Sequence, residues 1–258
     1  MSPRQGDQPT GGAPVLDQQA VDFYRTNGYY LNRDQLFSPE RLDTLEQIFN
    51  EHLADKGDKL SDELDTPHFR DPRLMDFLLS DEVLDLVEPL VGPDIALWTS
   101  HFISKDPKVG RATPWHEDSA YWNGRLSEYD RIVTVWLALG PSNRTNGCMR
   151  VIPGTHDNGF SEYVPTDKTT QTFHAEIPGV DESRAVYFEL ERGQCSLHDG
   201  RIIHGAESNT SDVRRTGYTM RYFPASVKVL PVPANDGWQI WLARGRDSAG
   251  NTYQPDPR

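Results

Sequence analysis

A succession of short β-rich segments between Ile95 and Pro224 constrains the fold of this 258-residue chain more than any other feature. Segments such as IALWTSHFIS, RIVTVWLAL and TGYTMRYFP are rich in β-branched and aromatic residues, and Gly, Pro, Asn and Asp separate them. Many short strands with such punctuation, and no alternation of strand and helix, favour a sandwich or barrel. Helices are predicted before Ile95, one of them beginning at Ser38 and Pro39, and we expect them to pack outside the larger sheet.

The segment PWHEDSAY places His116 and Asp118 two positions apart in a predicted strand. Side chains at positions i and i+2 of a strand point to the same face, so this imidazole and this carboxylate can converge on one metal ion. Glu117 lies between them and is expected to point to the opposite face.

A third ligand is predicted in SLHDGRIIHGAESN, where His204 lies in a second strand-like run. Two histidines and one carboxylate form the facial triad of non-haem Fe(II) oxygenases, which leaves positions open for a 2-oxo acid and O2. Arg215 follows eleven residues later and offers a planar fork suited to a carboxylate. Arg214 and Arg221 are alternatives to Arg215, because the sequence does not fix the strand register.

These motifs together resemble the phytanoyl-CoA dioxygenase family. The H-x-D tripeptide, the stretch VWLALGPSNRTNGCMRVIPGTH, the H-G-x-x-x-N run and the distal Arg all match the family pattern, and the similarity covers about residues 16 to 226. The resemblance implies a mostly β fold with flanking helices around a double-stranded β-helix, the cupin-like jelly roll. It also implies an enzyme that uses Fe(II), with 2-oxoglutarate as cosubstrate, and O2.

The resemblance also assigns individual residues. It favours His204 over His198, the competing ligand, because only His204 precedes the G-x-x-x-N run. It implies that Trp136 and His101 lie along the cosubstrate. Ala206 stands where relatives often have a serine whose hydroxyl could bond the cosubstrate, and the lysine that some relatives use upstream has no clear counterpart.

Composition limits the organisation and the partners. We predict a disordered tail over residues 1–15 and one domain over residues 16–258. A net charge of −13 argues against a nucleic-acid partner, and no apolar run approaches the roughly 18 residues of a membrane span. The termini show no secretory or peroxisomal address, so we predict a cytoplasmic protein, of an oligomeric state that the sequence does not indicate.

Substrate contacts are expected from Tyr121 and Trp122, which follow the metal motif, and from His68 in the polar loop 55–70. A second long polar connection, residues 155–172, is a candidate lid or binding loop. Trp238 and Trp241 are expected to pack in the core.

The predicted reaction is hydroxylation, or another oxidation, of an unactivated C–H bond in a small molecule, in secondary metabolism. Desaturation, ring closure and epimerisation are alternatives that share the same first step. The carboxylate of Asp118 argues against halogenation, because its loss would be needed to open an iron position for halide. Two readings from other classes are a cupin-like metal-binding protein without oxygenase activity and a zinc-dependent isomerase or hydrolase, neither of which needs the clamp at Arg215.

Overall fold

A computed structural model describes residues 15–167 and 169–258 of the chain. The helices precede the β-rich region, as predicted, and are α1 (Gln18–Asn27), α2 (Pro39–Ala54), α3 (Met75–Leu78) and α4 (Asp81–Val91). Within these described ranges no helix combines the length and the apolar character that crossing a membrane requires. Residues 1–14 of the expected tail lie outside the described residues, and the division into a tail and one domain stays a prediction.

The strands form two main sheets with antiparallel pairing. The strands are β1 (Tyr29–Asn32), β2 (Leu64–Asp65), β3 (Ile95–Lys105), β4 (Thr113–His116), β5 (Val133–Ala138), β6 (Met149–Val151), β7 (Val164–Pro165), β8 (Ala175–Glu176), β9 (Val186–Tyr187), β10 (Cys195–Asp199), β11 (His204–Ala206), β12 (Arg215–Pro224) and β13 (Trp241–Arg244). The larger sheet has the order β1, β10, β5, β12, β3, β13, with β2 also paired to β3, and the smaller has the order β4, β11, β6, β9. The predicted double-stranded β-helix with flanking helices is confirmed.

The helices begin where the sequence predicts them and cover one face of the larger sheet. Ser38 caps α2 by accepting a hydrogen bond from the backbone of Arg41, and Pro39 occupies its first turn. Leu45 and Ile48 of α2 belong to the same buried cluster as Val135 of β5. The main hydrophobic core therefore lies between the helices and the larger sheet.

Alternation along β12 separates the core from the site. Tyr218, Met220 and Tyr222 point into the helix-covered core, whereas Thr219 and Arg221 line a cavity between the two sheets. Along β12, residues that face the core therefore alternate with residues that line the cavity.

Both long polar connections are more regular than the sequence suggests. Part of the 55–70 segment forms β2, in which Leu64 pairs with Phe102, and part of 155–172 forms β7, which pairs with β8. The eleven-residue β3 offers backbone groups at its edge that a short additional strand can satisfy. The composition of the 55–70 segment conceals this pairing, because half of its residues are charged.

Candidate metal centre

His116 and Asp118 reach the same side of the chain because the backbone stays extended between them. His116 is the last residue of β4, Glu117 is extended (φ −117°, ψ 129°), and Asp118 begins a 3-10 turn over Asp118–Trp122. Glu117 points away, as expected, and its carboxylate accepts a hydrogen bond from the backbone of Ser161. The strand is shorter than predicted, but the alternation that matters is kept.

Strand pairing brings the second imidazole to the same place. β11 lies next to β4, with His204 opposite His116, and the two ring centroids are 4.0 Å apart. Oδ1 of Asp118 is 3.7 Å from Nε2 of His116 and 3.9 Å from Nε2 of His204. The three buried ligand atoms all lie within 4.8 Å of one another. The three residues therefore form a group that could hold one metal ion.

The hydrogen bonds of the two histidines direct their lone pairs inward. Nδ1 of His116 donates to the carbonyl oxygen of Pro114 at 2.8 Å, and Nδ1 of His204 donates to that of Ile202 at 2.9 Å. With the proton on Nδ1, each Nε2 carries the lone pair. Burial and the neighbouring His116 hold the pKa of His204 well below its ordinary value. The donor set therefore fits a divalent transition metal.

The carboxylate of Asp118 is oriented by two neighbours. Nε of Arg221 donates to Oδ2 at 3.0 Å, and Oγ1 of Thr134 donates to the same oxygen at 3.3 Å. Burial by itself raises the pKa of the Asp118 carboxyl, but the Arg221 guanidinium and the nearby imidazoles hold that pKa well below its ordinary value. Oδ1 faces the two imidazoles and also accepts a longer hydrogen bond, of 3.4 Å, from Nη2 of Arg221.

His198, the competing ligand, lies beside this set and outside it. It is 1% exposed, its ring centroid is 5.0 Å from that of His204, and its Nε2 is 3.9 Å from Oδ2 of Asp118. In the described part of the chain neither of its ring nitrogens has a hydrogen-bond partner. Nε2 of His204 converges with the ligand atoms of His116 and Asp118, whereas Nε2 of His198 faces Oδ2, the other oxygen of Asp118.

Arg215 is a buried cation beside the centre. Its guanidinium lies 5.3 Å from the ring centroid of Trp136, and within the described residues its hydrogen bonds go only to the carbonyl oxygens of Gly147 and Ile103, at 3.1 and 3.5 Å. Burial lowers its pKa to about 10, so Arg215 remains protonated near neutral pH. A buried guanidinium whose only partners are carbonyl groups is suited to receive a carboxylate.

The two alternative arginines already have acidic partners. Arg221 pairs with Asp118, and Arg214 pairs with Asp106. Lys105 lies opposite Arg215 in the ladder between β3 and β12 and is fully buried, but its side chain does not line the cavity, and its Nζ donates to the carbonyl oxygen of Arg111.

A cavity of about 480 Å³ contains the centre and most of the predicted contact residues. Besides the three converging residues and Arg215, the predicted residues that line it are His101, Tyr121, Trp122 and Trp136. The expected substrate contact at His68 is not found, since this side chain is 2% exposed and packs against Phe69 and Trp241. Trp241 is in the core, as predicted, and Trp238 packs against a second buried cluster while also lining the cavity.

Phe173 and Arg125 are among the cavity residues that were not anticipated from the sequence. The ring of Phe173 lies 4.7 Å from that of His116 and 5.1 Å from that of Tyr121, and therefore forms an aromatic wall above the centre. Arg125 lines the cavity from the segment that follows the 3-10 turn. Neither residue belongs to a motif with recognisable spacing.

The chain is similar to curated and solved proteins over most of its length. It is 28% identical over 221 residues to a phytanoyl-CoA dioxygenase domain-containing protein 1 homolog of Caenorhabditis briggsae, covering 80% of this chain and 73% of that protein. It is 29% identical over 168 residues to the human peroxisomal phytanoyl-CoA dioxygenase, covering 63% of this chain and about half (49%) of that protein.

Solved structures agree on the fold. The non-heme monooxygenase ThoJ superposes with a TM-score of 0.75 at 25% identity, covering 93% of this chain and 88% of its own. The carbocyclase SnoK from nogalamycin biosynthesis gives a TM-score of 0.70 at 24% identity, with 88% and 92% coverage. Residues 24–217 match the model of the phytanoyl-CoA dioxygenase family. The chain therefore belongs to the phytanoyl-CoA dioxygenase family and is a 2-oxoglutarate-dependent, non-haem iron oxygenase.

Proposed function

We propose that His116, Asp118 and His204 hold Fe(II), and that Arg215 binds the distal carboxylate of 2-oxoglutarate. The enzyme would oxidise an unactivated C–H bond of a small molecule. One observation carries the proposal: two inward-facing Nε2 atoms and a carboxylate oxygen converge in a cavity that also holds a buried guanidinium with only carbonyl partners in the described residues.

The charges in the cavity suit this assembly. Fe(II), Arg215 and Arg221 would carry four positive charges, beside three negative charges on Asp118 and on the two carboxylates of 2-oxoglutarate. Charges out of water are tolerated when they are paired, so each component favours the binding of the others. The hydrogen bonds from Arg221 to both oxygens of Asp118 would hold this carboxylate in place beside the metal.

When bound, the iron and 2-oxoglutarate supply the oxidising chemistry with O2, releasing CO2 and succinate. The protein orients the reactants and excludes water. Trp136 lies against the guanidinium of Arg215 and would support the cosubstrate, with His101 on the same sheet. Tyr121 and Phe173 would cover the centre on the substrate side.

Hydroxylation is the simplest outcome of this arrangement. Desaturation, ring closure and epimerisation differ from it only in how the substrate is placed, and a carbocyclase and an epimerase from nogalamycin biosynthesis share the fold. These relatives support a role in secondary metabolism. The small-molecule partner, the lack of a nucleic-acid partner and the cytoplasmic location stay predictions.

Succinate formation tests the proposed function. The protein reconstituted with Fe(II) and 2-oxoglutarate in air should form succinate, and a candidate substrate should accelerate the reaction. His204→Ala and the zinc-loaded wild type should form none above background. Succinate formation by the iron-loaded wild type that does not exceed that of His204→Ala would overturn the proposal.

A further inference from the structure

Arg125 presents a third guanidinium, besides those of Arg215 and Arg221, to the cavity that contains the metal centre. Its central carbon lies 4.2 Å from the ring centroid of Trp238 and 4.9 Å from that of Trp98. Its Nε donates to Oδ1 of Asn235 at 2.7 Å, whereas its buried Nη2 has no hydrogen-bond partner in the described residues. A buried N–H donor without a partner calls for an explanation, and a bound ion or ligand that accepts its hydrogen bond is one.

The backbone holds Arg125 in a fixed place. Its N–H donates to the carbonyl oxygen of Trp122 at 2.8 Å, and its own carbonyl oxygen accepts hydrogen bonds from the backbone of Leu230 and from Nδ2 of Asn235, both at 2.9 Å. The same short segment begins at Asp118, so the guanidinium is tied to the metal centre through one 3-10 turn. A donor held this way loses little conformational entropy when it binds.

The other arginines that line the cavity have separate roles. Arg221 is paired with Asp118, and Arg215 is assigned above to 2-oxoglutarate. Asp65 also lines the cavity, and its negative charge favours the protonated form of Arg125. The two side chains do not form an ion pair within 4.0 Å, and the side chain of Asp65 is 61% exposed. Arg125 is therefore the cavity arginine, among the described residues, that remains for a substrate anion.

We propose that Arg125 binds a carboxylate of the substrate, and that the apolar body of the substrate lies against Tyr121, Trp122 and Phe173. This inference rests on the proposed function. It names the substrate class: a small acid with an apolar body whose oxidised carbon lies away from the carboxylate, toward His116. A carboxylate suits this site because a guanidinium fork binds it with two parallel hydrogen bonds. The indole rings beneath the guanidinium favour a positive charge at this position.

Paired ligands test the proposal without turnover. The full chain is loaded with Fe(II) and saturating 2-oxoglutarate without O2, and calorimetry measures the binding of three acids and their amides: 3-phenylpropanoate, 3-cyclohexylpropanoate and hexanoate. In the wild type at least one acid should bind roughly tenfold or more tightly than its amide, because the neutral amide cannot pair with the guanidinium. Arg125→Gln should lose this preference and Arg125→Lys should keep part of it. Arg131→Gln, a change at an exposed arginine outside the cavity wall, should behave as the wild type.

Two results would overturn the proposal: no preference for any acid in the wild type, or the same preference in Arg125→Gln. The visible band of the complex with iron and 2-oxoglutarate is recorded in each sample as the control. A variant that keeps the band has a folded and intact centre, so its loss of acid binding concerns Arg125 alone. Loss of the band on adding an acid would place that acid at Arg215 and would also count against the proposal. A wild type that never shows the band would refute the proposed function instead.

Discussion

The guanidinium of Arg221 holds the carboxylate of Asp118 by both oxygens, with Nε 3.0 Å from Oδ2 and Nη2 3.4 Å from Oδ1. Oδ1 faces the imidazoles of His116 and His204 at 3.7 and 3.9 Å. A hydrogen-bonded neighbour that orients a metal ligand in this way commonly also strengthens metal binding.

Replacing Arg221 should weaken metal binding without removing a ligand. We expect Arg221→Gln to lower the affinity for Fe(II) about 10-fold to 100-fold, because Asp118 loses its orienting partner and its compensating charge. Anaerobic metal titration measures the effect, and Arg214→Gln is the matched control, since Arg214 pairs with Asp106 instead. An unchanged affinity in Arg221→Gln would show that the ion pair does not support the ligand.

The choice between His204 and His198 can be tested directly. His204→Ala should lower the Fe(II) affinity more than about 100-fold, beyond what the loss of an outer neighbour causes, because a ligand is removed. His198→Ala should keep the metal, since the Nε2 of His198 faces the other oxygen of Asp118. Metal content after desalting distinguishes the two variants, and equal losses would contradict the assignment.

Gly217 leaves the space that the ring of Trp136 occupies. A Cβ built on Gly217 would lie 2.1 Å from the Cζ2 atom of Trp136, whereas one on Gly140 would meet nothing within 4 Å. We expect Gly217→Ala to lower the free energy of unfolding by about 1 to 3 kcal/mol and to weaken 2-oxoglutarate binding, because the displaced indole supports Arg215. Denaturant unfolding and 2-oxoglutarate titration measure both effects, with Gly140→Ala as the control. Retention of full affinity for 2-oxoglutarate in Gly217→Ala would show that the position of Trp136 does not support cosubstrate binding.

Burial of His68 should make stability depend on pH. Burial lowers its pKa from 6.5 to about 3, so between these values the unfolded chain binds a proton that the folded protein does not. The stabilisation is complete above about pH 6.5 and decreases as the pH falls toward 3, by up to about 1.4 kcal/mol per pH unit. We expect His68→Gln to lack this component, so that the difference in unfolding free energy between the two proteins narrows on acidification. A constant difference from pH 7 to pH 4 would contradict the prediction.

The proposed metal ligands could be predicted from the sequence because local rules bring them together. Strand alternation sets His116 and Asp118 on one side, and a recognisable run surrounds His204. Local rules do not decide between Arg215 and Arg221. That choice depends on the register of β12 against β3 and on the position of Asp118. Spacing alone left both arginines open.

The remaining cavity residues depend on contacts between distant segments. Arg125 lines the cavity beside Trp98 and Trp238, which precede it by 27 residues and follow it by 113 in the sequence. His68 is buried because Trp241 packs on it, and no local pattern shows that contact. Predictions failed where long-range packing, and not strand periodicity, decides the exposure of a side chain.

The central claim is that one cavity holds Fe(II) on three residues and 2-oxoglutarate on Arg215. Its most direct test is the anaerobic visible absorbance of the chain with Fe(II) and 2-oxoglutarate, in the wild type, in Arg215→Ala and in Arg214→Ala. We expect the weak metal-to-ligand charge-transfer band in the wild type and in Arg214→Ala, and its loss in Arg215→Ala at the same 2-oxoglutarate concentration. A wild type that binds iron and shows no band, or a band of equal strength in Arg215→Ala, would contradict the claim.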